Sequence, residues 1–231
     1  MKITEIGGFF VGRLDDTALG ENDKKALLKL ANEDLEEEMV DLLNEAETVA
    51  DPLVLFGVVS IGEATKTDVC VNGVTVPSTL VAEKLGGKHR CFPSITTCGP
   101  ALEKWSEQYT GDFLYEFWAV DIKKRYLGKA MVAFRDFLKE QYHTSGHLAG
   151  LNPGSLASWP ISGQQELFEI LGGRDFVKET IGVTYNESFL MVPSKTGSGI
   201  MFESEVFYEN CQHCPMKDCP NRRAKYQGEQ V

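Results

Sequence analysis

Asn72-Gly73 narrows the fold more than any other pair of residues in the chain. It stands between Cys70-Val71 and Val74-Val76, two short valine-rich runs. An Asn-Gly connection of two residues suits the tight turn between adjacent antiparallel strands, because both turn residues must take positive φ. At least part of the sheet is therefore expected to be antiparallel.

The rest of the chain mixes helical and strand patterns. From Asn22, which can cap a helix, apolar residues recur at Leu28, Ala31, Leu35, Met39, Leu42 and Ala46, and Asp51-Pro52 ends the pattern. Residues 53–61 and 68–76 read as strands, and Pro77-Ser78 opens a short helix to Leu85. A strand over 91–98 precedes a helix from Gly99-Pro100 through Tyr109. The longest helical stretch is 113–142, with Val120, Tyr126 or Leu127, Ala130, Phe134, Phe137 and Leu138 on its core face. Residues 146–160 read as a loop, 164–171 (capped by Ser162) and 175–181 as helices, and 187–192 and 199–207 as strands. Residues 1–20 carry little pattern beyond an apolar Phe9, Phe10 and Val11. No βαβ rhythm appears, so the expected class is α+β. The expected organisation is one domain over 1–207 and a cysteine-rich extension over 208–231.

Charge excludes some functions. The 231 residues carry a formal net charge of -11, which repels phosphate backbones and anionic membranes. The cluster Arg222, Arg223 and Lys225 is too short to reverse this. No stretch approaches the ~18 apolar residues of a membrane span, and no secretory pattern opens the chain, so the expected location is cytoplasmic. Gly7-Gly8 and Gly86-Gly87 lack the Gly-Lys-Ser/Thr pattern of a phosphate loop. His143 and His147 are four apart but straddle a helix end, which disfavours a shared metal.

In a reducing compartment, clustered cysteines bind metal or do redox work rather than form disulfides. Cys211-x2-Cys214-x4-Cys219 is such a cluster, with Pro215 and Pro220 stiffening its loop. Soft thiolates at this spacing select zinc, copper(I) or iron–sulfur centres. A fourth ligand is needed, and Cys98, Cys91, Cys70 or His213 are the candidates, with Cys98 placed first.

An ordered series in the last third resembles a known family. It comprises Asn152-Pro153-Gly154-Ser155, Trp159-Pro160-Ile161, Gln164, Leu167-Phe168 and Ile181-Gly182-Val183, then Asn186-Glu187-Ser188, Met191-Val192-Pro193 and Ser198-Gly199. Weaker matches lie upstream at Ile95-Thr96-Thr97, Gly99-Pro100, Glu103 and Val120-Asp121-Ile122. The series resembles the activation (reactivation) domain of cobalamin-dependent methionine synthase, and more closely its short stand-alone relatives.

The resemblance implies a curved, mostly antiparallel sheet with flanking helices. It also implies binding of S-adenosylmethionine and its presentation to a corrinoid, so that cobalt(II) is reduced and methylated back into the cycle. The partner implied is a corrinoid-binding protein or corrinoid methyltransferase. The residues it brings forward as cofactor-binding are Asn152, Pro153, Gly154, Ser155, Trp159 and Glu187. Trp159 would offer a flat surface for a ring system and Glu187 a carboxylate for a sulfonium, against plainer readings as core and as exposed strand.

The sequence departs from the family at two positions. Residues Ala149, Gly150, Leu151 and Asn152 include no arginine where the family carries one, and Ser155 replaces an aromatic residue. Both departures argue against an S-adenosylmethionine site. The cysteines on Cys211, Cys214 and Cys219, with Cys98, are expected to hold an iron–sulfur cluster, as suits an electron donor to cobalt, with structural zinc as the alternative. The function expected is that of an accessory protein for corrinoid-dependent methyl transfer. The alternatives are a non-catalytic corrinoid-binding module and an S-adenosylmethionine-dependent methyl donor.

Overall fold

The computed structural model describes residues 1–142, 146–214, 216, 218–219 and 222–228. The chain begins with an antiparallel hairpin, β1 (Lys2–Ile6) and β2 (Phe9–Arg13), turned at Gly7 and Gly8 with φ of 57° and 83°. Positive φ is the conformation that a two-residue hairpin turn requires and that glycine takes without steric cost. Two helices follow, α1 (Glu21–Leu28) and α2 (Glu36–Val49), then strands β3 (Leu53–Phe56) and β4 (Val59–Ala64). The hairpin at Asn72-Gly73 joins β5 (Val69–Val71) to β6 (Val74–Val76), with φ of 51° at Asn72, as expected.

Helix α3 (Thr79–Leu85) is capped by Ser78, whose hydroxyl accepts from the Val81 N–H at 3.2 Å. Strand β7 (Arg90–Thr97), helix α4 (Pro100–Ser106) and the 30-residue helix α5 (Phe113–Tyr142) come next. The chain then adds β8 (His147–Leu151), α6 (Gln164–Ile170), α7 (Arg174–Ile181), the small hairpin β9 (Thr184–Tyr185) and β10 (Met191–Val192), and β11 (Thr196–Ser204).

Strand β7 organises the sheet. One of its edges pairs with β3 and β4, which lead outward to β2-β1 and to β5-β6. Its other edge pairs with β11, which in turn holds β8. Every one of these ladders is antiparallel. The class is thus α+β, as the missing βαβ rhythm indicates.

The period-2 alternation of β3 and β7 sends their side chains to two cores. Val54, Phe56 and Phe92 pack with Phe134 and Leu138 of α5 on one face. Leu53, Leu55 and Ile95 meet Phe168 of α6 and Val177 and Ile181 of α7 on the other. A third cluster joins α1, α2, α4 and the first half of α5, and a fourth lies under α3 and α6.

Several expectations need correction. The single helix expected from Asn22 is two helices, broken near Asn32, where extended backbone precedes Glu33-Asp34 and restarts the helical geometry. An Asn followed by acidic residues is itself a helix-start signal. Gly20, not Asn22, occupies the first cap. Val120 is 40% exposed and belongs to the outer face of α5, while Phe134 and Leu138 are core as expected. Within 146–160, read as loop, His147–Leu151 is a strand. Residues 187–192, read as one strand, are mostly the turn between β9 and β10.

Candidate functional site

A groove opens on the α5 side of the sheet, where β7, β11 and β8 run side by side. Its floor is built by register. Ser94 stands opposite Gly199, Thr96 opposite Gly197, and Gly150 opposite Met201. Glycines at 197, 199 and 150 alternate across the ladders with Ser94, Thr96 and Met201, so the floor carries few side chains beneath a wall that includes Met131, Val132 and Arg135 of α5. The space enclosed, open mouth included, is about 800 Å³.

Asn152 enters this groove at the end of β8. Its Nδ2 donates to the Ser198 carbonyl across Gly199, where any Cβ would come within 2.4 Å of that nitrogen. The close crossing requires glycine at 199. The amides of Asn152 and Asn210 meet at 2.6 Å, which ties the C-terminal segment to the groove. Glu209 and Arg223 of that segment form the rim and pair with each other at 2.9 Å.

The other residues singled out in the sequence fall elsewhere. Pro153-Gly154 does form a turn, with φ of 80° at Gly154 and its N–H donating to the Trp159 carbonyl at 2.9 Å. Pro153, Gly154 and Ser155 do not line the groove. Trp159 is 1% exposed and packs in the cluster under α3 and α6, its indole pressed on Gly163, so the plainer reading as core replaces that of a stacking surface. Glu187 is exposed in the turn after β9, which is held by Asn186 Oδ1 accepting from the Ser188 and Leu190 N–H groups. It does not face the groove.

The cysteine segment is organised around a guanidinium. Arg222 donates to the carbonyls of Cys211, Cys214, Met216 and Ala224. The Arg223 N–H donates to Cys211 Sγ at 3.4 Å, and the Cys214 N–H to the Asn210 carbonyl at 2.9 Å. His213 stacks on Tyr208, with its Nδ1 3.0 Å from the Gly228 carbonyl. Among the described residues, no group of three His, Cys, Asp or Glu side chains is arranged to hold a metal. The stiffening role assigned to Pro215 and Pro220, and the His143 member of the His143–His147 pair, lie outside the described residues.

Cys98, the fourth ligand expected, is not gathered with Cys211, Cys214 and Cys219 into a ligand group among the described residues. It is fully buried at the end of β7, in the helical cluster with Ala46, Leu102 and Trp105. Burial pushes its thiol up to about 12, and Cys91 likewise to about 12. With no metal bound, burial keeps both thiols protonated near neutral pH. Brief alkylation of the native chain at pH 8 should therefore modify the half-buried Cys211, Cys214 and Cys219 and spare Cys91 and Cys98 until the chain is unfolded. Peptide mass spectrometry reads this, and labelling of Cys98 at the rate of Cys211 would contradict it.

Sequence reasoning missed Arg135, Ser94, Glu209 and Arg223. Thr96 stood only as part of a weak motif. None forms a local pattern; antiparallel register and the return of the C-terminus bring them together.

No protein-family model and no curated protein matches this sequence. Among solved structures it is similar to one described as the crystal structure of the MetH reactivation domain bound to AdoHcy. The TM-score is 0.66 at 13% identity, over 88% of this chain and 81% of that one. The likeness establishes the fold, an antiparallel sheet with flanking helices like that of the reactivation domain.

Proposed function

We propose that this chain is an accessory protein for corrinoid-dependent methyl transfer, which binds and reactivates a corrinoid protein. The observation that carries the reading is the groove at Asn152, set in a fold shared over 88% of the chain with a domain whose structure holds AdoHcy. Corrinoid-bound cobalt that has fallen to the inactive cobalt(II) state needs one electron and a methyl cation equivalent. A sulfonium donor of the S-adenosyl class supplies the methyl when bound.

The groove fits such a ligand in chemistry. Met131 and Val132 offer an apolar wall to an adenosyl thioether, and Ser94, Thr96 and Asn152 offer polar groups on the floor. The work of the chain's own residues is to hold the ligand against the sheet and leave its reactive end at the open mouth. The glycine positions of the floor allow that approach, and the corrinoid protein would dock over the mouth.

The cysteine extension over 208–231 is proposed to hold an iron–sulfur cluster on Cys211, Cys214 and Cys219, with zinc as the alternative. The spacing supports this. The described thiols are not gathered into a ligand set, so no chemical step is assigned to the metal. The hydrogen bonds from Arg222 to main-chain carbonyls favour the second reading, in which the segment is a structural clip and the protein a non-catalytic binding module.

Two measurements on anaerobically purified protein test these readings. Iron with matching sulfide supports the electron-handling helper, whereas one zinc per chain supports the clip. Gel filtration with a cobalamin-loaded corrinoid protein should give a shared peak, and separate elution at tens of micromolar would sink both.

A further inference from the structure

The groove is lined by a cation that, among the described residues, forms no ion pair. Arg135 is half-buried in its wall, and its Nη1 donates to the Leu148 carbonyl. The acidic residues that line the same groove are engaged elsewhere: Asp136 pairs with Lys139 at 3.8 Å and Glu209 with Arg223 at 2.9 Å. A guanidinium carries five N–H donors in a planar fork. One carbonyl partner among the described residues leaves most of that capacity open to a ligand in the groove it lines.

A second observation points to the same space. Ser94 and Thr96 are 6% and 4% exposed, and their hydroxyls line the groove. Among the described residues, neither hydroxyl has a protein hydrogen-bond partner, and neither is sealed from the solvent of the groove. Buried polar groups are normally satisfied, and those left open in a cleft are completed by water or by a ligand.

We infer that the groove binds a small molecule through a carboxylate held by Arg135, with Ser94 and Thr96 completing its hydrogen bonds. The fork geometry of arginine suits bidentate capture of a planar carboxylate. A singly charged group fits better than phosphate here, because Asp136 and Glu209 stand beside the cation and the chain is acidic overall. Arg223, reaching in from the cysteine segment, closes the rim. The two guanidiniums lie far apart in sequence from the Ala149–Asn152 stretch that lacks an arginine, so the anchor is spatial rather than local.

The inference rests on the proposed function only for the choice of probe. S-Adenosylhomocysteine, titrated calorimetrically into the full chain, should bind, and Arg135→Gln should weaken it at least ~10-fold, the scale of a charge-assisted hydrogen bond. Arg135→Lys should fall between. 5′-Methylthioadenosine, which lacks the amino-acid end, should bind weakly and equally to both proteins. Inorganic phosphate should compete poorly.

Should Arg135→Gln melt early, Gly150→Val provides a second route. A Cβ at Gly150 meets nothing closer than Met201 Cγ at 3.8 Å, so the backbone accepts a side chain there, and the branches of valine should occupy the floor and likewise abolish binding. Unchanged affinity in Arg135→Gln, or no S-adenosylhomocysteine binding at millimolar concentration, overturns the inference. So does phosphate binding more tightly than the probe. Corrinoid-protein binding measured on the same variant separates the two readings. If Arg135→Gln keeps that partner but loses the probe's affinity, both stand; if the parent chain binds the probe but no corrinoid protein, only the functional reading falls.

Discussion

The Lys123→Met variant should unfold at a free energy about 3 kcal/mol below the parent chain, the low end of the range for breaking a buried ion pair. Lys123 is buried on α5, with its Nζ donating to Glu103 at 2.7 Å and to the Ser106 hydroxyl at 2.8 Å. Glu103 also accepts from the Ser194 N–H at 3.2 Å, which fastens the start of β11 to α4. Methionine keeps the volume but leaves a carboxylate whose side chain is 22% exposed facing apolar neighbours. That partial exposure is why the low end applies.

The pH dependence of this pair has a definite sign. Burial opposes ionisation of Glu103, but hydrogen bonds from Lys123 and Ser194 and the charge of Lys123 outweigh it and hold the carboxyl below its ordinary value of 4.5. A carboxyl with a depressed folded-state pKa adds stability above its unfolded value and loses it as pH falls through the folded value. The gap between parent and variant should be full near neutral pH and shrink in acid as Glu103 takes up its proton, first in the variant, where burial is no longer outweighed by Lys123. Urea unfolding at pH 7 and at acid pH reads both effects, and equal midpoints at pH 7 would contradict the ion-pair account.

The second large effect is expected at Arg222. Replacing it by alanine removes donors from the carbonyls of Cys211, Cys214, Met216 and Ala224 at once. Charge-assisted hydrogen bonds contribute roughly 1.5–3 kcal/mol each, and partial exposure lowers the sum. The segment should open about 100-fold more often, on the order of 3 kcal/mol of local stability. Hydrogen exchange reads this at the amides of Cys214 and Gln227, which donate to Asn210 and Gln212. Amides of β7 should be unchanged, since the sheet does not depend on Arg222. Equal acceleration across β7 would mean that the segment is part of the main cooperative unit.

Local signals in the sequence were read well where they acted alone. Asn72-Gly73 set its hairpin, Ser78 its cap, and the long apolar face of 113–142 its helix to the residue. Gly7-Gly8 held the same turn chemistry, yet β1 and β2 went unread because their strands are short and polar on the exposed face. Strand β8 was lost among Gly146, Gly150 and Pro153, whose loop-like composition is what an edge strand bordering an open groove can carry.

Of the residues read as cofactor-binding, Asn152 alone lines the groove, beside Thr96, Ser198 and Gly199 of the family-like series. Trp159 shows why the rest was not legible: beside a Pro-Gly turn it reads equally as a platform or as core, and only the packing of α3 and α6 decides for core. Cys98 was drawn toward the other cysteines by chemistry alone, whereas the chain ends β7 beneath a helical layer. Arg135 sits on a helix face crowded with charges, and nothing local separates it from Lys124 or Lys139.

The central claim is best tested by watching cobalt. A cobalamin-loaded corrinoid protein is held anaerobically in the cobalt(II) state with S-adenosylmethionine and a low-potential one-electron donor, and its visible spectrum is followed as this chain is added. The account predicts that the cobalt(II) band decays and the methylcobalt(III) spectrum rises, with one S-adenosylhomocysteine formed per cobalt. A cobalt(II) spectrum that stays unchanged at stoichiometric protein, in a mixture where the two proteins do associate, would contradict reactivation and leave a binding module in its place.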